Sequence, residues 1–426
     1  MNVALNKEEL PKGEQGFLAR FAGLRGRLPG DRAVRDTAAA AFREAGLPTL
    51  RDEAWKYTNL RPVAEASFHE PLTEFADCAP LLARLPALDG SRLVFFDGRF
   101  RADLSTVPGL VRVATFAEQP DFGRLARPDR HPLVALNTML AEDGVIVEVP
   151  AGVDAGLLQL ISLAADAHGR PVAFHPRHTI RVAQGARLVL LEMSVGEGAY
   201  LHNPVTQIEV AEGATLVHVR LQDESATGFH LSTLYATVAG RGVYDCFGLN
   251  IGARVCRTEI HARLTGPHGA VHLNGAQLLG GRQHSDFTTV VSHDAPHCAS
   301  RQTVKNVLAG RSRGVFQGRI EVARAAQKTD GYQMNQALLL SPEAEVDSQP
   351  ELEIFADDVK CSHGATVGEL DPEQLFYLRT RGIPEPEARS ILVRAFLAEA
   401  LDLIDNEPVR DVLDRVVESW WEKQAA

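Results

Sequence analysis

The side chains best placed to do chemistry lie in one polar stretch, Ala356-Asp357-Asp358-Val359-Lys360-Cys361-Ser362-His363-Gly364-Ala365-Thr366. In extended chain, residues two apart share a face, so Cys361 and His363 project together. A thiolate and an imidazole both bind borderline-soft divalent metals such as iron or zinc. The same pair is also a thiol beside an activating base. Two further metal ligands are missing from the motif, and a packed cysteine beside a solvent-facing histidine is the plain alternative. A second stretch, His293-Asp294-Ala295-Pro296-His297-Cys298, has metal spacing only on a helix, and Pro296 in a strand-rich region makes these turn residues instead. His261, His268, His272 and His284 alternate through the same region, with one or two expected on an exposed face. Gly280-Gly281 and Gly310-Arg311-Ser312-Arg313-Gly314 lack P-loop spacing, and neither a nucleophile elbow nor a His-Glu-x-x-His helix is expected.

Composition narrows the classes of function. At 426 residues the chain exceeds one ordinary domain, and 45% apolar with 23% charged residues is globular usage. A net charge of −11 gives no general attraction for phosphate backbones or anionic lipid, so neither nucleic acid nor a membrane is an expected partner. No apolar run approaches the ~20 residues of a bilayer span, and Lys7, Glu8 and Glu9 fall where a secretory leader would be apolar. The expected location is the cytoplasm. Cys78, Cys246, Cys256, Cys298 and Cys361 are odd in number and scattered, with no Cys-x-x-C pair, which argues against a disulfide framework, a Cys₄ zinc site or a chain-internal ferredoxin-type cluster.

The elements that must position these residues divide the chain at 1–144, 145–362 and 363–426. The first region reads as mainly helical α/β. Asp31 caps a helix that Gly46 and Pro48 stop, Leu93-Val94-Phe95-Phe96 is a strand closed by Asp97-Gly98, and a helix runs from Pro132 to Ala141. From Val145 short β-branched alternations recur between glycine corners, with "Gly-Ala" openings at Gly185, Gly213 and Gly269. Two-residue Asn-Gly or Asp-Gly hairpins are scarce, which disfavours an antiparallel sandwich and favours a β-solenoid. Solenoid ends are open sheet edges, so non-β elements are expected to cover both. The last region returns to helix. Asp371, Pro372 and Gln374 open one helix and Gly382 stops it; Phe396 and Leu403 lie on the next. Val412, Val416, Trp420 and Trp421 belong to an apolar stripe on the last, which covers a core or anchors a partner.

Beyond these local patterns, the segment from Asp330-Gly331-Tyr332 to Phe396, with Pro350-Glu351-Leu352-Glu353-Ile354 and the Ala356–Gly368 run, resembles the SufB/SufD family of SUF iron–sulfur cluster assembly, on its SufD side. Glu53-Ala54-Trp55-Lys56-Tyr57-Thr58 is similar to the family's N-terminal motif. Where SufB carries a cysteine implicated in cluster binding, this chain has Asn335. The resemblance implies a right-handed parallel β-helix between helical ends and a non-catalytic scaffold role. It implies pairing with a SufB paralogue and a SufC ABC-type ATPase, a homodimer when isolated, and nascent cluster built at the SufB–SufD interface. By the same resemblance His363, with Cys361 beside it, is the iron or cluster ligand shared with a partner chain, and no cofactor is held tightly by the isolated chain. Phe396, Leu403, Val412, Val416 and Trp420 fall in the region implied to dock the ATPase; Cys256 is assigned no sulfur-acceptor role. The competing classes are a stand-alone β-helix lyase or acyltransferase, which needs carboxylates or bases converging on one face, and a purely structural ATPase partner.

Overall fold

In the computed structural model, which describes residues 12–71, 78–166 and 169–425, successive strands alternate between two sheets. The charged Met1–Glu9 stretch lies outside the described residues. From Val145–Val149 to Glu345–Ile354 one sheet gains a strand per coil, and from Asp154–Ala164 to Lys360–Gly368 so does the other. Neighbours pair in parallel, for example Leu216 opposite Leu188 and Tyr244 opposite Leu216. The result is a parallel β-solenoid of about eight turns with helices at both termini, as the alternation predicts.

One corner of each coil turns through a left-handed residue followed by a small buried one. Gly185-Ala186 and Gly213-Ala214 are the legible cases. Arg241-Gly242, His268-Gly269, His297-Cys298 and Lys328-Thr329 repeat the geometry with φ between 56° and 63° on a non-glycine residue, a sterically costly choice that hides the repeat from the sequence. Gly269-Ala270 is therefore one place out of step, Gly269 being the small buried member. The letters Gly310-Arg311-Ser312-Arg313-Gly314 match Gly-x-Ser-x-Gly, but that motif needs a strand-to-helix elbow. Here it is a strand-to-strand corner in which buried Ser312 donates to the Leu279 carbonyl at 3.3 Å.

Both outer faces are covered by the terminal regions. Phe17, Phe21, Phe42 and Leu136 from the N-terminal helices pack on Leu201, Phe229, Leu231 and Val255. Asp31 caps the helix Arg32–Ala45 by accepting from Ala33 N–H, and Gly46 ends it. The Glu53–Thr58 motif locks this layer down: Trp55 lies under the Arg257 guanidinium, 4.0 Å from its ring centroid, and the buried Thr58 hydroxyl donates to Asp286. Strand Ser91–Phe96 turns at Asp97-Gly98 into Arg99–Phe100, and pairs in parallel with Leu158–Leu163, so the N-terminal region also supplies strands to the solenoid.

The C-terminal helices Pro372–Thr380, Glu385–Leu401 and Glu407–Ala425 do not cap the far end as expected. The latter two fold back along the other outer face, where Val393, Leu397, Val409, Val412 and Trp420 pack on Val189, Val217, Leu221, Phe247 and Leu249. Lys305 fixes them from below, donating to the Phe396 carbonyl at 2.8 Å and pairing with Glu399. Glu345–Ile354 and Lys360–Gly368 are left as the terminal strands of their sheets. The last strand also runs across the 362/363 boundary, and helix resumes only at Pro372. No helix among the described residues is long and apolar enough to cross a membrane.

Two outcomes follow for stability. Asp286→Asn should cost about 1.5–3 kcal/mol in urea unfolding, since it removes one of the two carboxylates that pair the buried Arg257 guanidinium and leaves Glu259 as the other. Burial pushes the imidazoles of His175 and His178 down to about 3 and about 4. Unfolded, both titrate near 6.5, so the unfolded chain takes up protons first and stability present above pH 6.5 is lost as pH falls toward 4. The urea midpoint should drop across that window, and less steeply in His178→Asn, whose amide oxygen can still accept from Val145 N–H.

Candidate functional site

Because the last coil has no successor, side chains that would be interior in any other coil meet solvent there. Strand Lys360–Gly368 sets Cys361 opposite Gly331, His363 opposite Gln333 and Ala365 opposite Asn335. Cys361 and His363 thus share a face, as their spacing predicts, but their surroundings differ. Cys361 is half-buried against Ile320, Val322, Ala326 and Ala356, and burial pushes its thiol pKa up. A thiol so placed is a poor nucleophile and surrenders its proton only to a metal that displaces it. His363 is exposed on the terminal strand.

Beneath the terminal strand lies a column of buried amides, ending under Ala365. Gln277 Nε2 donates to Asn306 Oδ1, and Asn306 Nδ2 donates to Asn335 Oδ1, both at 2.7 Å. The series stops there: Asn335 Nδ2 and both amide atoms of fully buried Gln333 have no partner within the chain. Unsatisfied buried amides are rare because each forfeits its hydration. Among the described residues Gln277, Gln302 and Gln349 each leave one amide atom unpaired too, but Gln333, which lacks both, and Asn335 lie in strand Asp330–Leu339, directly under the open end. The rim is apolar, with Val367 56% and Phe355 66% exposed. An unpaired strand edge, an exposed imidazole and an apolar rim together describe a contact surface rather than a cleft for a small substrate.

Among the other residues singled out from sequence, Val412 and Trp420 are buried in the chain's own core, so they are corrected from docking side chains to packing side chains. Phe396 and Val416 are partly buried beside them, and Leu403 stays 41% exposed. His293 is buried against Ser300 and His297 sits in a corner stacked on His268, so the pair forms no metal site. His284 is tied to Thr58 at 2.9 Å. No disulfide forms among the described residues, and burial pushes Cys246 to about 11 and Cys256 to about 12. The buried ionic clusters of the interior, Glu192 with His218 and Arg220 and Glu224 with His202 and His230, are not legible from spacing, because each draws its members from different coils.

The fold and its open end define a helix-flanked parallel β-solenoid protein whose last coil is exposed. Residues 163–396 match the SufBD core domain of the SUF system for iron–sulfur cluster assembly, and residues 112–157 match the SufBD N-terminal region. The chain is 33% identical to the iron–sulfur cluster assembly protein SufD of Escherichia coli, over 87% of this chain and 89% of that protein. It is 30% identical to SufBD family proteins of Synechocystis, covering 87% of this chain and 86% of that one, and of Mycobacterium leprae, covering 87% and 90%. The chain belongs to the SufBD family and has a role in SUF iron–sulfur cluster assembly.

The orphaned amides give a direct check. Gln333→Met in the isolated chain should leave the urea midpoint unchanged or raise it, because no internal hydrogen bond is lost. A loss above about 1 kcal/mol would show that Gln333 is already satisfied.

Proposed function

We propose that this chain is the non-catalytic half of a two-chain scaffold, whose open solenoid end pairs with the corresponding end of a SufB paralogue. His363 then serves as an iron or nascent-cluster ligand at the seam, with Cys361 in reserve. The observation that carries this is the exposed imidazole on an unpaired terminal strand, above buried amides that lack partners. Strand addition across the seam would satisfy the free backbone edge, and polar groups from the partner would reach Gln333 and Asn335. Ligands split between two chains, and mixed between imidazole and thiolate, hold a cluster less permanently than four thiolates of one chain, which suits a scaffold that must release its product. The same surface accounts for a homodimer of the isolated chain. A SufC-type ATPase is assigned to the C-terminal helices, with exposed Leu403 as the docking member of the set read from sequence.

The test is anaerobic reconstitution of the co-expressed complex. His363→Ala should leave its mass unchanged while bound iron and sulfide fall at least about 10-fold. Cluster formation at the unaltered rate would remove His363 from the mechanism. Val367→Glu should leave the melting of the isolated chain unchanged but weaken association with the paralogue at least about 10-fold, the cost of setting a charge in an apolar seam. Undiminished association would place the seam elsewhere.

A further inference from the structure

A second convergence of metal-ligating side chains lies on the other sheet, three strands back from its terminal strand. On the strand Val255–Leu264, Arg257, Glu259 and His261 alternate onto the outer face. His131, the residue ahead of the helix Pro132–Leu140, comes down on them from the N-terminal layer. Glu259 Oε1 lies 2.8 Å from His261 Nε2 and 3.7 Å from His131 Nδ1, and one ligand atom from each of the three falls within 4.8 Å of the others. We propose that His131, Glu259 and His261 bind one divalent transition-metal ion of the zinc or ferrous class, with a further coordination position facing the adjoining groove.

The geometry of the surroundings supports a built site. Tetrahedral bonds of about 2.0–2.1 Å set ligand atoms roughly 3.3 Å apart, so small ring movements close the set on an ion. His261 lies flat on Tyr235, with centroids 5.0 Å apart and planes inclined by 11°, and His131 meets that pair edge-on. The second oxygen of Glu259 accepts from Arg257 Nε and Nη2 at 3.3 and 3.2 Å. Arg257 is itself held between Trp55 and Asp286. Each ligand is thus oriented by a buried neighbour, as metal-binding residues are. Burial lowers the His131 pKa and keeps its ring free to ligate; it opposes the charge on Glu259, but Arg257 and the imidazoles hold that carboxylate ionised. Two imidazoles and one carboxylate favour zinc, iron or cobalt over magnesium or calcium. The groove, roughly 630 Å³, is bounded by Glu53, Trp55, Thr288, Gln317 and Arg319, so an exogenous ligand can reach the ion.

The site does not depend on the seam proposed above. Full-length chain, stripped with chelator, is titrated with Co²⁺ and followed by its visible d–d bands and by calorimetry. One ion per chain should bind and be displaced by Zn²⁺. Glu259→Gln and His261→Asn should each weaken binding at least about 10-fold, while His363→Ala leaves it unchanged. His131→Asn should do the same as the first two without touching the strand ladder, which separates ligand loss from misfolding; circular dichroism and melting confirm each fold. The proposal is overturned by failure of the wild type to bind one Co²⁺, by binding unchanged in all three variants, or by its loss only in His363→Ala.

Discussion

Every strand of a parallel solenoid takes its hydrogen bonds from the coils on either side, and that requirement cannot be met at the last one. Here the beginning of the stack is covered, by the antiparallel strands Arg99–Phe100 and Arg112–Thr115. The far end is left open by helices that fold away along an outer face. The unpaired edge and the exposure of His363 both descend from that one asymmetry, and the unpartnered amides of Gln333 and Asn335 lie directly beneath it. In any earlier coil the position of His363 would be interior.

The two outer faces are closed differently, and the difference matters for where chemistry can occur. The C-terminal helices close theirs by apolar packing around Val412, Leu413 and Trp420, with Lys305 as the polar tie. The N-terminal layer closes its face over a buried ionic group of the solenoid strands, Arg257 with Asp286 and Glu259, reached by Trp55 and Thr58. Such a group is expensive to desolvate and is held together only by complete pairing. It fixes the register of the N-terminal layer on the solenoid, and in doing so it brings His131 to Glu259 and His261.

The Cys361–His363 pair shows why identical spacing does not give equal chemistry. Two residues on one face of one strand differ because a corner cluster stands beside the first and nothing stands above the second. The thiol is partly covered and its pKa raised, whereas the imidazole stays open to a neighbour. Among the described residues the exposed apolar side chains Phe355 and Val367 border that same end, so the surface that offers the ligand also offers area for association.

The amino-acid order by itself determined what depends on neighbours close along the chain. Period-two alternation after Val145, the caps at Asp31 and Asp371, the turn at Asp97-Gly98 and the shared face of Cys361 and His363 are local consequences of side-chain type and φ preference. The corner repeat was half legible, because Arg241, His268, His297 and Lys328 take a conformation that only glycine advertises. Tertiary structure alone decided which way the final helices ran, and so which strand became an edge and that Val412 and Trp420 were core. It alone brought His131 within reach of Glu259 and His261, 128 residues away from the nearer of them. Backbone geometry is set within a few residues, whereas burial and ligand convergence are set by which surfaces meet, and in a solenoid those surfaces belong to different coils.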